Sequence, residues 1–112
     1  MQFSTLVLTL LATGAPLTSA VVVDLFSDTN CNNRAGSRNV FDNSCAPLGG
    51  FQSYRITGSG GSGQQLSAYS RNACAGPVTA CTPVAASGAC IRARNDNGGS
   101  NAMSSSPVCG AV

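Results

Sequence analysis

The 112-residue sequence contains no histidine, lysine, glutamate or tryptophan. Each absence removes a class of chemistry. Without histidine, a hydrolytic triad lacks its usual base. Without glutamate, paired-carboxylate catalysis would have to draw on Asp24, Asp28, Asp42 and Asp96 alone. Asp24 and Asp28 are close in sequence, but the ordinary fate of such residues is capping a turn. Lysine is also missing from the glycine-rich stretch Gly58–Gly63, so that stretch is no phosphate-binding loop. Charged residues make up only 9% of the chain, and the net charge of +2 is too small to point to nucleic acid. These absences make the expected protein a non-enzyme without a cofactor or a metal.

Long apolar runs are also scarce. One lies at the start, where Phe3, Leu6, Val7, Leu8, Leu10 and Leu11 form an apolar segment interrupted only by small or hydroxyl residues. Gly14 and Pro16 follow, then Leu17-Thr18-Ser19-Ala20. This is the pattern of a secretory signal peptide over residues 1–20, with cleavage after Ala20. The segment carries no Arg or Lys, so the N-terminal amine would have to supply the positive charge. It is too short to span a bilayer, and no later segment is long and apolar enough to do so. The expected location is extracellular, and residues 21–112 are expected to form a single secreted domain.

All six cysteines fall in that domain: Cys31, Cys45, Cys74, Cys81, Cys90 and Cys109. An even count in a short secreted chain reads as three disulfides. Zinc is disfavoured because there is neither His nor a Cys-x-x-Cys pair. Six cysteines allow fifteen pairings. A local pairing joins Cys31 to Cys45, with no third cysteine between or near them, and leaves the other four to pair among themselves. A chain of this size buries a small core, and each bridge can add about 2–4 kcal/mol.

Short strand signals alternate with turn residues. Val21-Val22-Val23-Asp24-Leu25-Phe26 is the strongest strand, followed by Asn39-Val40-Phe41 and the alternating stretch Phe51 to Thr57. Val78-Thr79-Ala80 and Ile91-Arg92-Ala93-Arg94 continue the series. Leu66, Tyr69 and Ala73 also fit helical spacing, so a short helix near 64–73 competes with a strand. Asp96-Asn97-Gly98-Gly99 reads as a turn, and residues 96–112 read as a loose polar tail pinned by Cys109. Arg92 and Arg94 share one face of a strand in this reading and are the candidate binding residues for carboxylate, phosphate or sulfate groups.

The chain also repeats itself across Gly58–Gly63, with halves at about 21–57 and 66–95. Phe26-Ser-Asp-Thr-Asn-Cys31-Asn-Asn33 has a counterpart in Tyr69-Ser-Arg-Asn-Ala-Cys74-Ala-Gly76. Further on, Phe51-Gln-Ser53-Tyr-Arg55-Ile aligns with Ala89-Cys90-Ile-Arg92. This pattern resembles the βγ-crystallin Greek-key motif, in which an aromatic residue opens a folded hairpin and a later strand serine packs over it. The resemblance implies an all-β, disulfide-rich sandwich of two Greek keys. It places Cys31 and Cys74 at equivalent hairpin positions, Asn33 and Gly76 at the hairpin glycine, and Ser53 and Cys90 at the strand serine. The calcium-binding residues that precede that serine in many such domains are missing from Leu48–Ser53 and from Ala85–Cys90.

The signal peptide, the short mature domain and the six cysteines together look like the small secreted cysteine-rich proteins of filamentous fungi. Crystallin-like members of that class are similar to killer toxins and to candidate effectors. The expected function is binding of an extracellular protein or a cell-wall or cell-surface glycan of a host or competing microbe, by a monomer. A protease-inhibitor module or a cell-wall structural module is the alternative.

Overall fold

A computed structural model describes residues 19–96 and 98–112. The expected signal segment, apart from Ser19 and Ala20, lies outside the described residues. Eight strands follow one another: β1 (Ala20–Phe26), β2 (Arg34–Phe41), β3 (Ser44–Phe51), β4 (Ser53–Ser59), β5 (Gln65–Arg71), β6 (Ala75–Pro83), β7 (Cys90–Arg92) and β8 (Ser100–Ser106). They build two antiparallel four-stranded sheets, in the orders β2-β1-β4-β7 and β3-β8-β5-β6. The chain is therefore an all-β, disulfide-stapled, two-sheet domain.

The order of the strands shows how the two halves interlock. The first four strands form one unit and the last four another. Each unit keeps its first, second and fourth strands in one sheet and gives its third to the other. Thus β3 pairs with β8, and β7 pairs with β4.

Alternation along β1 sets the inner face. Val21, Val23 and Leu25 are buried, whereas Val22 and Asp24 are only half-buried. Tyr54 and Ile56 of β4 and Leu66 and Ala68 of β5 join them, with Phe51 and Met103, between the sheets. The hydroxyl of Tyr54 still finds a partner, Thr82 Oγ1 at 2.7 Å. Ile56 and Leu66 are fully buried, and truncating either to alanine removes about 2–5 kcal/mol.

Several expectations are corrected. Residues 66–71 form a strand, β5, bonded on both sides by β6 and β8. Two sheet partners outweigh the helical spacing of Leu66 and Tyr69, and only a single 3-10 turn, Asn72–Cys74, follows. The supposed loose tail contains β8, the inner strand between β3 and β5. Of its four buried serines, Ser100, Ser104 and Ser106 find hydroxyl partners in other segments, whereas Ser105 Oγ is buried without one. Ser100 Oγ donates to Ala93 O at 2.6 Å, and Ser104 Oγ donates to Ala111 O at 2.8 Å. The turn expected around residue 96 is present, with Asn95 and Gly98 exchanging backbone hydrogen bonds at 3.1 and 2.9 Å.

The pairing of Cys31 with Cys45 is overturned. The bridges are Cys31–Cys90, Cys45–Cys74 and Cys81–Cys109. The exchanged strands explain this. β7 lies beside β4 in the first sheet, and the turn carrying Cys31 folds onto that sheet, so Cys90 is within reach. β3 stands in the same relation to the second turn, so Cys45 meets Cys74. The first two bridges therefore tie each turn to the third strand of the other unit.

The two turns differ in detail from the expectation. Ser53 does sit under the first: it accepts from Cys31 N at 3.1 Å and donates to Asp28 O at 2.6 Å. Cys90 does not play that part in the second, because it belongs to β7 rather than to the fourth strand. The register that sets Phe26 opposite Ser53 sets Tyr69 opposite Ala102. Gly76 has the positive φ expected of it, +78°, and a Cβ there would lie 2.7 Å from Ser70 Oγ. In the first turn the positive φ falls on Cys31, at 57°, rather than on Asn33.

Candidate binding cleft

β7 ends at Arg92, and the chain after it is tied to the connection between β3 and β4. Ala93 N donates to Gln52 O at 2.9 Å, and the Ala93 side chain is fully buried. The residue that follows, Arg94, is thereby carried out of the strand. It extends over a cleft of about 340 Å³ lined by Ser27, Gly50, Phe51, Gln52, Arg94, Gly99, Ser100 and Asn101. Arg94 Nη1 donates to Gln52 Oε1 at 3.2 Å. Its carbonyl accepts from Arg92 Nε at 3.2 Å. A side chain at position 99 would bring its Cβ within 3.1 Å of Phe51 O, so glycine there keeps the two strand ends close. Asn101 Nδ2 donates to Ser70 O at 2.7 Å.

The sequence reading placed Arg92 and Arg94 on one strand face. The structure separates them. Both are exposed, but Arg92 lies opposite Ser53 within the sheet and Arg94 lies beyond the strand and lines the cleft, with only the Arg92 Nε to Arg94 O bond joining them. Gln52, Ser27, Gly99 and Asn101 were not singled out from the sequence. They come from separate segments, and no local spacing announces that they meet.

Other arginines surround the first sheet's outer face. Arg34 Nη2 contacts Asp24 Oδ1 at 3.2 Å, the one ion pair among the described residues. That hydrogen bond, with one from Ser37, holds the Asp24 carboxyl below its ordinary pKa against a smaller opposing effect of burial. The Arg55 guanidinium lies over the Phe26 ring at 5.7 Å. Asp28 is engaged differently: its carboxylate accepts from the backbone N–H groups of Asn33, Asn32 and Asn30 at 2.9, 3.0 and 3.3 Å. These bonds, that of Asn33 foremost, lower its pKa.

All six cysteines are in disulfides and so offer no thiolate. Tyr54 and Tyr69 are buried rather than presented for stacking on sugars. Among the described residues no group of three or more His, Cys, Asp or Glu side chains is placed to hold a metal ion, and no helix is long and apolar enough to cross a membrane. Comparison with protein-family models, with curated proteins and with solved structures finds no match.

Proposed function

We propose that this is a secreted, non-catalytic binding protein of the effector or toxin-like class, and that the Arg94 cleft receives an acidic group of an extracellular glycan or protein. The observation that carries this reading is the state of Arg94. Its guanidinium is held in place by a neutral amide, not by a carboxylate, and so it brings an uncompensated charge to a concave surface. The planar fork of arginine suits carboxylate and sulfate oxygens. Ser27 and Asn101 add neutral polar groups for the rest of the ligand.

The βγ-crystallin-like reading accompanies this proposal. Two observations support it: the exchange of third strands between the sheets, and Ser53 bonded beneath the first turn. A host or a competing microbe would supply the target. The stapled domain would act outside the cell as a monomer.

Titrating the oxidised protein with oligogalacturonate, with a sulfated oligosaccharide and with an acidic peptide tests the reading. Neutral oligosaccharides are the control. Binding of an acidic probe should weaken about 10-fold or more in Arg94→Ala, since a hydrogen bond to a charged group is worth about 1.5–3 kcal/mol. Arg38→Ala, on β2 away from the cleft, should leave it unchanged. If no acidic probe binds, or if Arg94→Ala binds as well as the parent, the cleft is not the site. Infiltration into leaves and addition to yeast and fungal cultures then separate an effector from a toxin, and an inert result in both excludes this class.

A further inference from the structure

A second recess opens where β4 gives way to β5, at the end of the sandwich away from the Arg94 cleft. Its volume is about 250 Å³. The chain between the two strands forms one wall and the turn after β6 the other. Gly60, Gly61, Gly63, Gln64, Val84 and Ala85 are among the residues that line it.

The glycine wall is backbone by necessity at one point. Gly60 has φ +66°, and a Cβ there would lie 2.9 Å from Ala20 C and Val21 N. Glycine also lets a ligand approach the main chain closely. Across the recess, Val84 is an apolar contact, fixed by its N–H to Gln64 O at 3.1 Å. No ionisable side chain lines the recess, and the nearby Asp42 carboxylate is taken up by the Gly61 N–H at 3.5 Å.

Gln64 is the informative residue. It is only 7% exposed, and its Nε2 donates to Asn43 Oδ1 at 3.3 Å. Its Oε1 is buried without a hydrogen-bond partner. A buried acceptor in that condition costs about 1–3 kcal/mol. Asn43 is held through its backbone, its N–H donating to Ser105 O at 2.6 Å. Turning both amides over would leave Nε2 over in place of Oε1. A hydroxyl group satisfies either atom, because it both donates and accepts.

We propose that this recess binds a neutral saccharide unit, with a sugar hydroxyl bonded to the Gln64 amide and the sugar ring lying against Val84 and the glycine backbone. The site is separate from the Arg94 cleft and does not rest on that reading. An uncharged, polyhydroxylated ring matches a wall without ionisable groups and with one buried amide atom to satisfy.

The test uses the full oxidised, 15N-labelled protein with cellotriose and with the trisaccharide of N-acetylglucosamine. Saturable shifts are expected for the Gln64 side-chain amide and for the backbone amides of Gly60, Gly61, Gly63 and Val84. Ala85→Trp places a bulky group on the exposed rim and should weaken binding at least 10-fold. Gln64→Leu should do the same, and Ala85→Trp decides the matter if Gln64→Leu does not fold. Arg94→Ala should bind these probes like the parent. The proposal is overturned if neither probe gives saturable shifts at these amides, if both rim and amide variants bind normally, or if binding disappears in Arg94→Ala alone.

Discussion

The turn after β1 and the turn after β5 stand at equivalent places, and they are fastened by different chemistry. In the first, the Asp28 carboxylate collects backbone N–H groups and the Ser53 hydroxyl bridges two turn residues from below. In the second there is no carboxylate, and Ala102 replaces the serine. Cover for the second sheet comes instead from the C-terminal segment. Tyr69 Oη pairs with Ser104 Oγ at 2.9 Å, Ser106 Oγ donates to Ala111 O at 2.9 Å, and Gly110 N donates to Ser67 Oγ at 2.9 Å. Cys81–Cys109 holds that segment down. One topology is thus stabilised locally in one half and by a distant strap in the other. The feature common to both halves is the disulfide from turn to exchanged strand.

Among the variants that compare the two halves, that common feature gives the largest expected effect. Replacing Cys31 and Cys90 by serine, or Cys45 and Cys74, should each remove about 2–4 kcal/mol in urea unfolding. The separations are 59 and 29 residues, so the first pair should cost about 0.6 kcal/mol more, one doubling of loop length. Equal losses would mean that native contacts, not loop closure, set the difference between the halves.

The two tyrosines extend the comparison. Tyr54 faces the core, whereas Tyr69 lies under the strap. Burial pushes the Tyr54 phenol up to about 12, with the Thr82 hydrogen bond opposing in part. A phenol whose folded pKa is raised favours the folded state below its unfolded pKa, near 10, and that contribution is lost as pH rises toward 12. It amounts to about 2–3 kcal/mol. Tyrosinate absorbance should show a step near pH 12 that Tyr54→Phe abolishes.

Ser53→Ala should come next, at about 1–3 kcal/mol, because it strips Cys31 N and Asp28 O of a buried partner. Tyr69→Phe, its nearest counterpart in the second half, should cost about 1 kcal/mol, since Ser104 keeps its bond to Ala111 O. Thermal unfolding of the two variants compares a local fastening with a distant one. A larger loss in Tyr69→Phe would reverse their ranking.

The smallest effect is expected in acid. The folded pKa values of Asp24 and Asp28 are depressed, so their contribution is present above the ordinary carboxylate range and disappears as pH falls through the folded values. Asp28→Asn should make the acid limb of the stability profile shallower, with Asp24 retaining the rest. An unchanged limb would show that the Asp28 bonds persist in the unfolded chain.

How much of this was legible in the sequence differs from element to element. The β-branched start of β1 announced itself, and so did the equivalence of Cys31 and Cys74. The structure pairs the two equivalent cysteines symmetrically, each with the third strand of the other unit, where the local Cys31–Cys45 pairing had been expected. β8 was hidden because a run of serines looks solvated until its hydroxyl partners are in place, and Ala93, Thr79 and Ala111 supply them from other segments. The alignment of Ser53 with Cys90 failed because short motifs do not reveal which strand of a unit is exchanged. Arg94, singled out as a polar candidate, lines the cleft. Its partner Gln52 could not be singled out, since the backbone bond from Ala93 to Gln52 that brings them together joins segments far apart in the chain.

The glycine-rich link between β4 and β5 has a further consequence once the crossed bridges are considered. A protease that cuts there severs the only peptide connection between the two units. Cys31–Cys90 and Cys45–Cys74 still join them covalently, and each sheet still contains a strand from both. The nicked molecule would be two chains in sequence and one body in shape. In a medium rich in proteases, a cut at this link would leave the architecture in place.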